Sequence, residues 1–184
     1  MFIICIDKTY VSLTIASKWH YLLREVTDNK PGKLQNLYSM ELAIRIRNIE
    51  ELDFEYIYSS LCDLENQILD AKALKEIFNA NITNKKYLYL IAESEATQVG
   101  FITFHTQNLM HHVGLVGEIQ EFYISPEYRG KGVGRQLVAK IITYSEEHQL
   151  KSIEVQTNRK RVENVAIYEN LGFTLSHNKF TIYR

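Results

Sequence analysis

Gly130, Gly132 and Gly134 alternate with Lys131 and Val133, and Arg129 and Arg135 flank the group. Without Cβ atoms, a backbone can approach a bound group closely and can take φ > 0. A helical pattern follows at once. The first N–H groups of a helix have no intrahelical partner, and the helix dipole favours negative charge there. A loop of this kind at a helix N-terminus is a site for phosphate groups. The side chains of Arg129, Lys131 and Arg135 add positive charge around it. The run lacks a Gly-Lys-Ser/Thr ending, which excludes a P-loop. Its glycine spacing is not G-x-G-x-x-G and it stands late in the chain, which argues against a dinucleotide Rossmann site.

A loop that grips phosphates needs a frame. Pro126 cannot donate to a sheet ladder, so the strand expected over 115–124 ends near Ser125. The helix expected over 133–147 carries Val133, Leu137, Val138, Ile141, Ile142 and Tyr144 as one wide apolar stripe. Further upstream, Leu42, Ile44 and Ile46 alternate with Ala43, Arg45 and Arg47, as on a strand with one buried face. Two helical patterns follow over 51–64 and 71–81, with Leu52, Ile57, Leu61 and Leu64 apolar in the first and Leu74, Ile77 and Phe78 in the second. The β-rich runs 87–92 and 99–106 are separated by polar residues 93–98, the pattern of a hairpin. Residues 152–156 read as a fifth strand, and 163–171 as a helix with Gly172 at its C-terminal side. Two further strands are expected at 173–175 and 179–183. The order βααβββαβαββ implies an α/β fold: a mixed central sheet with helices on both faces. Residues 1–39 show poor periodicity and a breaker at Asp28-Asn29-Lys30-Pro31-Gly32. The expected organisation is a domain over 40–184, preceded by a poorly structured extension over 1–39 that is loosely attached or the product of an upstream start codon.

Arg129-Gly130-Lys131-Gly132-Val133-Gly134, preceded by a hydrophobic strand and Ser-Pro-Glu-Tyr, resembles the acetyl-CoA pyrophosphate loop of the GNAT superfamily of N-acetyltransferases. Ile167-Tyr168-Glu169-Asn170-Leu171-Gly172-Phe173 resembles the second box of that family, in the family's order. The resemblance covers about 40–184. It implies acetyl-CoA as co-substrate and a mostly antiparallel sheet that splays open between its fourth and fifth strands around the pantetheine arm. Carried onto this sequence, cofactor binding falls to Phe122, Tyr123, Ile124, Arg129, Gly130, Lys131, Gly132, Val133, Gly134, Arg135 and Asn164. The chain departs from the pattern upstream of Tyr168. Where many members have Asn and Ala, seven and four residues before the tyrosine, it has Arg161 and Asn164.

Acetyl transfer to an amine needs a neutral amine, held reactants and help for the leaving sulfur. An alkyl ammonium has a pKa near ~10, so a base is valuable at neutral pH. Glu118 and Glu121, on the fourth strand, are the candidates. Three residues apart on a regular strand, they point to opposite faces, and a bulge would change that. Aligned on the Arg129 box, Glu118 falls where some GNAT enzymes keep a general base, and it is the favoured residue. Tyr168 matches the family tyrosine near the CoA sulfur. Its phenol, with an ordinary pKa near ~10, stays protonated and can act as acid.

A narrower resemblance bears on the acceptor. His111-His112-Val113, Gly117-Glu118-Ile119-Gln120-Glu121, Thr157-Asn158-Arg159-Lys160-Arg161, and Ser176-His177 with Phe180-Thr181 resemble the aminoalkylphosphonate N-acetyltransferases. That family implies a small aminophosphonate as substrate. A phosphonate dianion calls for donors such as His111, His112, Asn158, Arg159, Arg161 and His177. The resemblance also leaves a divalent metal open, with no ligand assigned, and a homodimer open. The competing readings are a GNAT enzyme for another small amine (amino sugar, polyamine, antibiotic or peptide N-terminus) and a non-catalytic acyl-CoA-binding module.

Composition narrows the field. The chain has 184 residues, 46% of them hydrophobic and 23% charged, as in an ordinary globular domain. A formal net charge of −1 argues against a nucleic-acid partner held by a broad basic face. Cys5 and Cys62 form no Cys-x-x-Cys, so neither a disulfide scaffold nor a zinc site is indicated. No apolar run reaches the ~20 residues of a membrane span, and residues 1–6 lack the basic leader of a signal peptide. A cytoplasmic location is the default expectation.

Overall fold

The computed structural model describes residues 43–182, so the expected extension over 1–39 lies outside the described residues. In chain order the described elements are β1 (Ile44–Asn48), α1 (Phe54–Glu65), α2 (Ala71–Ile82), β2 (Tyr87–Ser94), β3 (Thr97–Leu109), β4 (Gly114–Ile124), α3 (Val133–Glu147), β5 (Ile153–Val155) and α4 (Glu163–Asn170). Short 3-10 turns at Glu51–Asp53, Met110–His112 and Pro126–Tyr128 lead into α1, β4 and the glycine loop. The strands form one sheet in the order β1-β2-β3-β4-β5. Every neighbouring pair is antiparallel except β4–β5, which is parallel.

Both faces of the sheet are covered, which is why its central strands read as continuous apolar runs. Leu90, Ala92, Ile102 and Phe104 pack on one face against Val133, Leu137, Val138 and Ile141 of α3. Ile91, Phe101 and Tyr123 pack on the other against Phe54 and Ile57 of α1 and Phe78 of α2. The Asp70 carboxylate caps α2 by accepting from the N–H groups of Lys72 and Ala73, each at 3.0 Å. A buried Asp53 receives both guanidinium nitrogens of Arg47, at 2.6 and 2.8 Å, and pins the start of α1 to β1.

The α/β class, the helices and the first five strands agree with the sequence expectations. Three details differ. Leu52 lies in the turn before α1 and is 91% exposed, so the buried face of α1 starts at Phe54. Ile142 turns outward on α3, and Ser145 takes its place on the buried stripe. Residues 173–175 and 179–182 form no strand, and Leu175, Phe180 and Ile182 are exposed. β propensity needs a partner edge to act on. Here the Phe173 N–H bonds the Tyr168 carbonyl at 3.0 Å, so the chain leaves α4 in a helix cap instead of turning onto β5.

Gly117 opens the part of β4 that pairs with β5 and lies under the buried Phe104 ring. A Cβ there would fall 1.9 Å from Phe104 Cζ. Gly117→Ala is expected to cost about 1–3 kcal/mol through overpacking, read as a lower urea midpoint at unchanged slope.

Candidate active site

The site begins with a break in the ladder between β3 and β4. Ile102 pairs with Phe122 and Phe104 with Ile119, so Gln120 and Glu121 together oppose Thr103. This is a β-bulge, which bends and twists the strand that carries it. The Thr103 hydroxyl closes it from both sides. Its oxygen accepts the Glu121 N–H at 2.9 Å, and its O–H donates to the Glu121 carboxylate. Pairing of β4 with β5 covers Gly117, Glu118 and Ile119 and stops where the bulge starts. Beyond it the strands part, and a cleft of about 1410 Å³ opens between Phe122, Tyr123 and Ile124 on one side and Gln156, Thr157 and Asn158 on the other.

The bulge also changes the faces of the two carboxylates. The extra residue restores Glu121 to the side of the sheet that carries Glu118, the side facing α1 and α2. The expectation of opposite faces holds only for a regular strand, and β4 is not one. Glu121 lines the cleft. Burial raises its carboxyl pKa above the ordinary value, against the opposing Thr103 hydrogen bond. Glu118 stands in the paired part of the strand, cross-strand from Glu154 and His105. Its carboxylate accepts a hydrogen bond from Gln156 Nε2, which puts it one side chain behind the cleft wall.

At the far end of β4, Pro126 opens a 3-10 turn and the loop expected from the sequence follows. Gly130 and Gly132 take φ of +72° and +82°, and a Cβ built on either meets nothing within 4 Å. Both therefore face open space with their backbones bare. Gly132 is the N-cap of α3, with no side-chain cap. Gly134 has a different role: a Cβ there would lie 3.0 Å from Phe122 Cζ, so its lack of a side chain lets α3 pack on β4. Arg129 Nε donates to the Ile124 carbonyl at 3.0 Å, tying the loop to the strand end. Gly130, Gly132, Val133, Gly134, Arg129 and Arg135 all line the cleft. Lys131 does not; its ammonium lies 5.3 Å from the Tyr128 ring centroid.

Tyr168 enters the cleft from α4. Gly172 has φ +96°, its N–H bonds the Glu169 carbonyl, and the Phe173 N–H reaches the Tyr168 carbonyl, each at 3.0 Å. This is a Schellman cap, with its hydrophobic contact made by Tyr168 and Phe173, whose centroids are 5.9 Å apart. The Tyr-x-x-x-Gly-Phe spacing thus fixes the position of Tyr168 by helix-end geometry. Burial raises its pKa above the ordinary phenol value, partly offset by Arg161. Asn164, one turn earlier, lines the cleft and donates to Thr157 Oγ1 at 2.8 Å.

Of the residues proposed for the acceptor, Asn158 and Arg161 line the cleft. Arg161 spans it, donating from Nη2 to the Leu64 carbonyl at 2.6 Å, with Glu65 Oε1 at 3.6 Å. His111 and His112 stand at the opposite end of β4 from the glycine loop. Their 3-10 turn brings the ring centroids to 4.3 Å, whereas a strand would separate them. Neither they, nor Arg159, nor His177 line the cleft. Thr103, Tyr89, Asn81 and Gln156 do, which no local pattern reveals, because it depends on strand register.

Comparison with known proteins decides the family. The acetyltransferase (GNAT) family model matches residues 44–173. The chain belongs to the GNAT family. It is 32% identical, over 136 residues, to an aminoalkylphosphonate N-acetyltransferase of Salmonella typhimurium, covering 74% of this chain and 88% of that one. An uncharacterized N-acetyltransferase of Archaeoglobus fulgidus is 30% identical over 122 residues, 64% of this chain and 83% of that one. Among solved structures, a transcriptional regulator from Bacillus halodurans C-125 matches with a TM-score of 0.71 at 22% identity, over 77% of this chain and 100% of that one. Glucosamine-6-phosphate N-acetyltransferase from Arabidopsis thaliana matches at 0.65 and 16%, over 77% and 98%. These two likenesses concern the fold. The GNAT chain is an N-acetyltransferase, in a family that uses acetyl-CoA as co-substrate. Among the described residues no group of three or more His, Cys, Asp or Glu side chains is placed to hold a metal ion. No described helix is long and apolar enough to cross a membrane.

The buried Glu121 makes a stability prediction. Its folded-state pKa is raised, so the folded protein holds this proton more tightly than the unfolded chain does. Its contribution is therefore favourable at low pH and is lost as pH rises from the unfolded value through the folded one. Glu121→Gln removes the buried charge. The melting temperature of the variant relative to wild type is expected to be higher at pH 8 than at pH 5; equal differences at both would contradict it.

Proposed function

We propose that the protein transfers an acetyl group from acetyl-CoA to the primary amine of a small aminoalkylphosphonate. The observation that carries this reading is the open half of β4. It supports a cleft with a bare-backbone anion cradle at one end, a buried carboxylate in the middle and a protonated phenol opposite. The pyrophosphate rests against Gly130, Gly132 and the uncapped N-terminus of α3, with Arg129 and Arg135 beside it. The unpaired edge of β4 at Phe122, Tyr123 and Ile124 offers its N–H and C=O groups to the amides of the pantetheine arm.

Acetyl-CoA supplies the thioester, and the chain's residues handle the protons. Glu121 takes one from the acceptor ammonium. Its burial makes it a stronger base than an exposed carboxylate, and its place in the wall favours it over Glu118, which the alignment with the family suggested. The freed amine attacks the thioester carbonyl. Tyr168, kept protonated by its raised pKa, donates to the departing sulfur as the C–S bond breaks, and regains a proton from the nitrogen, which gives up its surplus one as the amide forms. Arg161 and Asn158 are the donors at hand for a phosphonate. The Salmonella relative supports this acceptor by its name and its 32% identity.

One observation favours a second reading. Asp63, Glu65 and Asp70 also line the cleft, and Arg161 already faces Glu65. Such a wall suits an acceptor with a second positive charge, such as a polyamine.

The deciding experiment is thiol release from acetyl-CoA with a panel of amines. Turnover with aminomethyl- and 2-aminoethylphosphonate and not with spermidine supports the proposal. The reverse pattern selects the second reading. Binding of CoA with no turnover on any amine selects a non-catalytic module. Gly132→Asp, which puts a negative charge into the cradle, is expected to weaken acetyl-CoA binding by about tenfold or more, roughly 1.4 kcal/mol by calorimetry. Unchanged affinity would remove the loop from the pyrophosphate site.

A further inference from the structure

A row of polar groups runs from the cleft to the outside along the sheet face under α2, and none of it is used above. Tyr89 lies next to Thr103 across β2–β3, and Tyr87 next to His105. Tyr89 lines the cleft; His105 does not. The Tyr89 hydroxyl sits 2.8 Å from His105 Nε2. Asn81 of α2 donates from Nδ2 into the same hydroxyl oxygen at 2.9 Å. The Tyr87 ring stacks on the His105 ring at 3.6 Å and 8°, fixing the plane of the imidazole. Glu118 stands opposite His105 on β4.

We infer that Tyr89 and His105 form the outlet through which the proton taken by Glu121 leaves the cleft. The inference rests on the proposed role of Glu121 and adds the fate of its proton. The hydrogen-bond inventory carries it. A phenol has one proton and two lone pairs. Asn81 fills one lone pair, so the hydroxyl proton turns to His105 Nε2 and the second lone pair is left for a further donor, on a residue that lines the cleft. An ammonium gives its proton to the Glu121 carboxylate and becomes a free amine. The carboxyl hands that proton through cleft water to Tyr89 Oη, and Tyr89 passes its own to Nε2. The imidazolium then loses the Nδ1 proton to solvent, which leaves the ring protonated on Nε2 and the Tyr89 O–H turned to the cleft. Water-mediated tautomer exchange of the ring, a proton gained at Nδ1 as the one on Nε2 is given up, and rotation of the hydroxyl restore the starting arrangement.

The surroundings suit these roles. Burial, with the nearby Glu121 charge second, holds the Tyr89 pKa well above its ordinary value, so this residue relays a proton without ionising. Burial lowers the His105 pKa and Glu118 opposes it, so the imidazole is neutral at neutral pH and free to accept. The groups facing His105 are Tyr87 and Tyr89 from β2 and Glu118 from β4; α2 contributes Asn81, which is neutral. Both residues are positioning and relay residues rather than groups that touch the reacting atoms.

The test uses the full chain, acetyl-CoA and 2-aminoethylphosphonate, with Tyr89→Phe and His105→Asn. Both variants are expected to keep KM and acetyl-CoA affinity while kcat falls about tenfold or more. Added imidazole should restore kcat in His105→Asn. Wild-type kcat in both variants, or a loss confined to KM that imidazole does not rescue, overturns the inference. A second measurement needs no turnover. Nitrogen-15 shifts of His105 are expected to show Nδ1 protonated and Nε2 bare in the neutral ring, with the Nε2 shift changed in Tyr89→Phe. The opposite tautomer overturns the relay. If the wild-type chain acetylates no amine in the panel, the proposed function fails, and the nitrogen shifts decide the hydrogen-bond arrangement separately.

Discussion

Two residues of β4, Gln120 and Glu121, face one residue of β3, Thr103, and the rest of the site depends on that mismatch. A strand in register would continue its ladder to β5 and leave no cleft. The extra residue twists β4 away from β5 after Ile119, and the gap that opens is the cleft. The same extra residue brings Glu121 onto the side facing α1 and α2. The Thr103 hydroxyl holds the bulge shut with one bond to the backbone and one to the carboxylate of Glu121. One side chain thus stabilises the backbone irregularity and orients the group that the irregularity exposes.

The charges of the cleft are graded along its length. Arg129 and Arg135 surround the glycine loop at one end, and Asp63, Glu65 and Asp70 lie along the wall made by α1 and the start of α2. Positive side chains therefore gather at one end of the cleft and carboxylates along one wall. Tyr56 and Tyr123 keep α1 over β4, the first by a 3.0 Å bond to Ser125 and the second by a 2.7 Å bond to Asp63. Arg161 joins the end of α1 to the segment before α4. Tyr123, Asp63 and Arg161 fasten the walls of the cleft to each other and also line it, so their side chains set the spacing of the walls.

Much of this was legible in the residues. The helical stripe of α3, the Pro126 stop, the 93–98 hairpin and Gly172 as a helix end each follow from local rules about periodicity, φ and hydrogen-bond capacity. The glycine loop was legible for the same reason: alternating glycines after a strand stop place bare backbone at a helix start. What misled was also local. Phe173 to Leu175 and the run to Ile182 have strand-like composition, but residues 173–182 form no strand. Leu52 and Ile142 fit apolar periodicities and face solvent, because a preceding turn or a neighbouring surface decides which part of a stripe is covered.

The sequence alone determined the family, the order of elements as far as α4, the glycine loop at the start of α3 and the two carboxylates of β4. These depend on residue type and short spacing, which chain connectivity preserves. Only the tertiary structure decided which carboxylate faces the cleft, that Tyr89 meets His105, and that His111 and His112 lie away from the opening. Those facts turn on strand register, and one inserted residue reverses the face of everything beyond it. No local pattern records that choice, because the partner strand that makes it lies roughly twenty residues away.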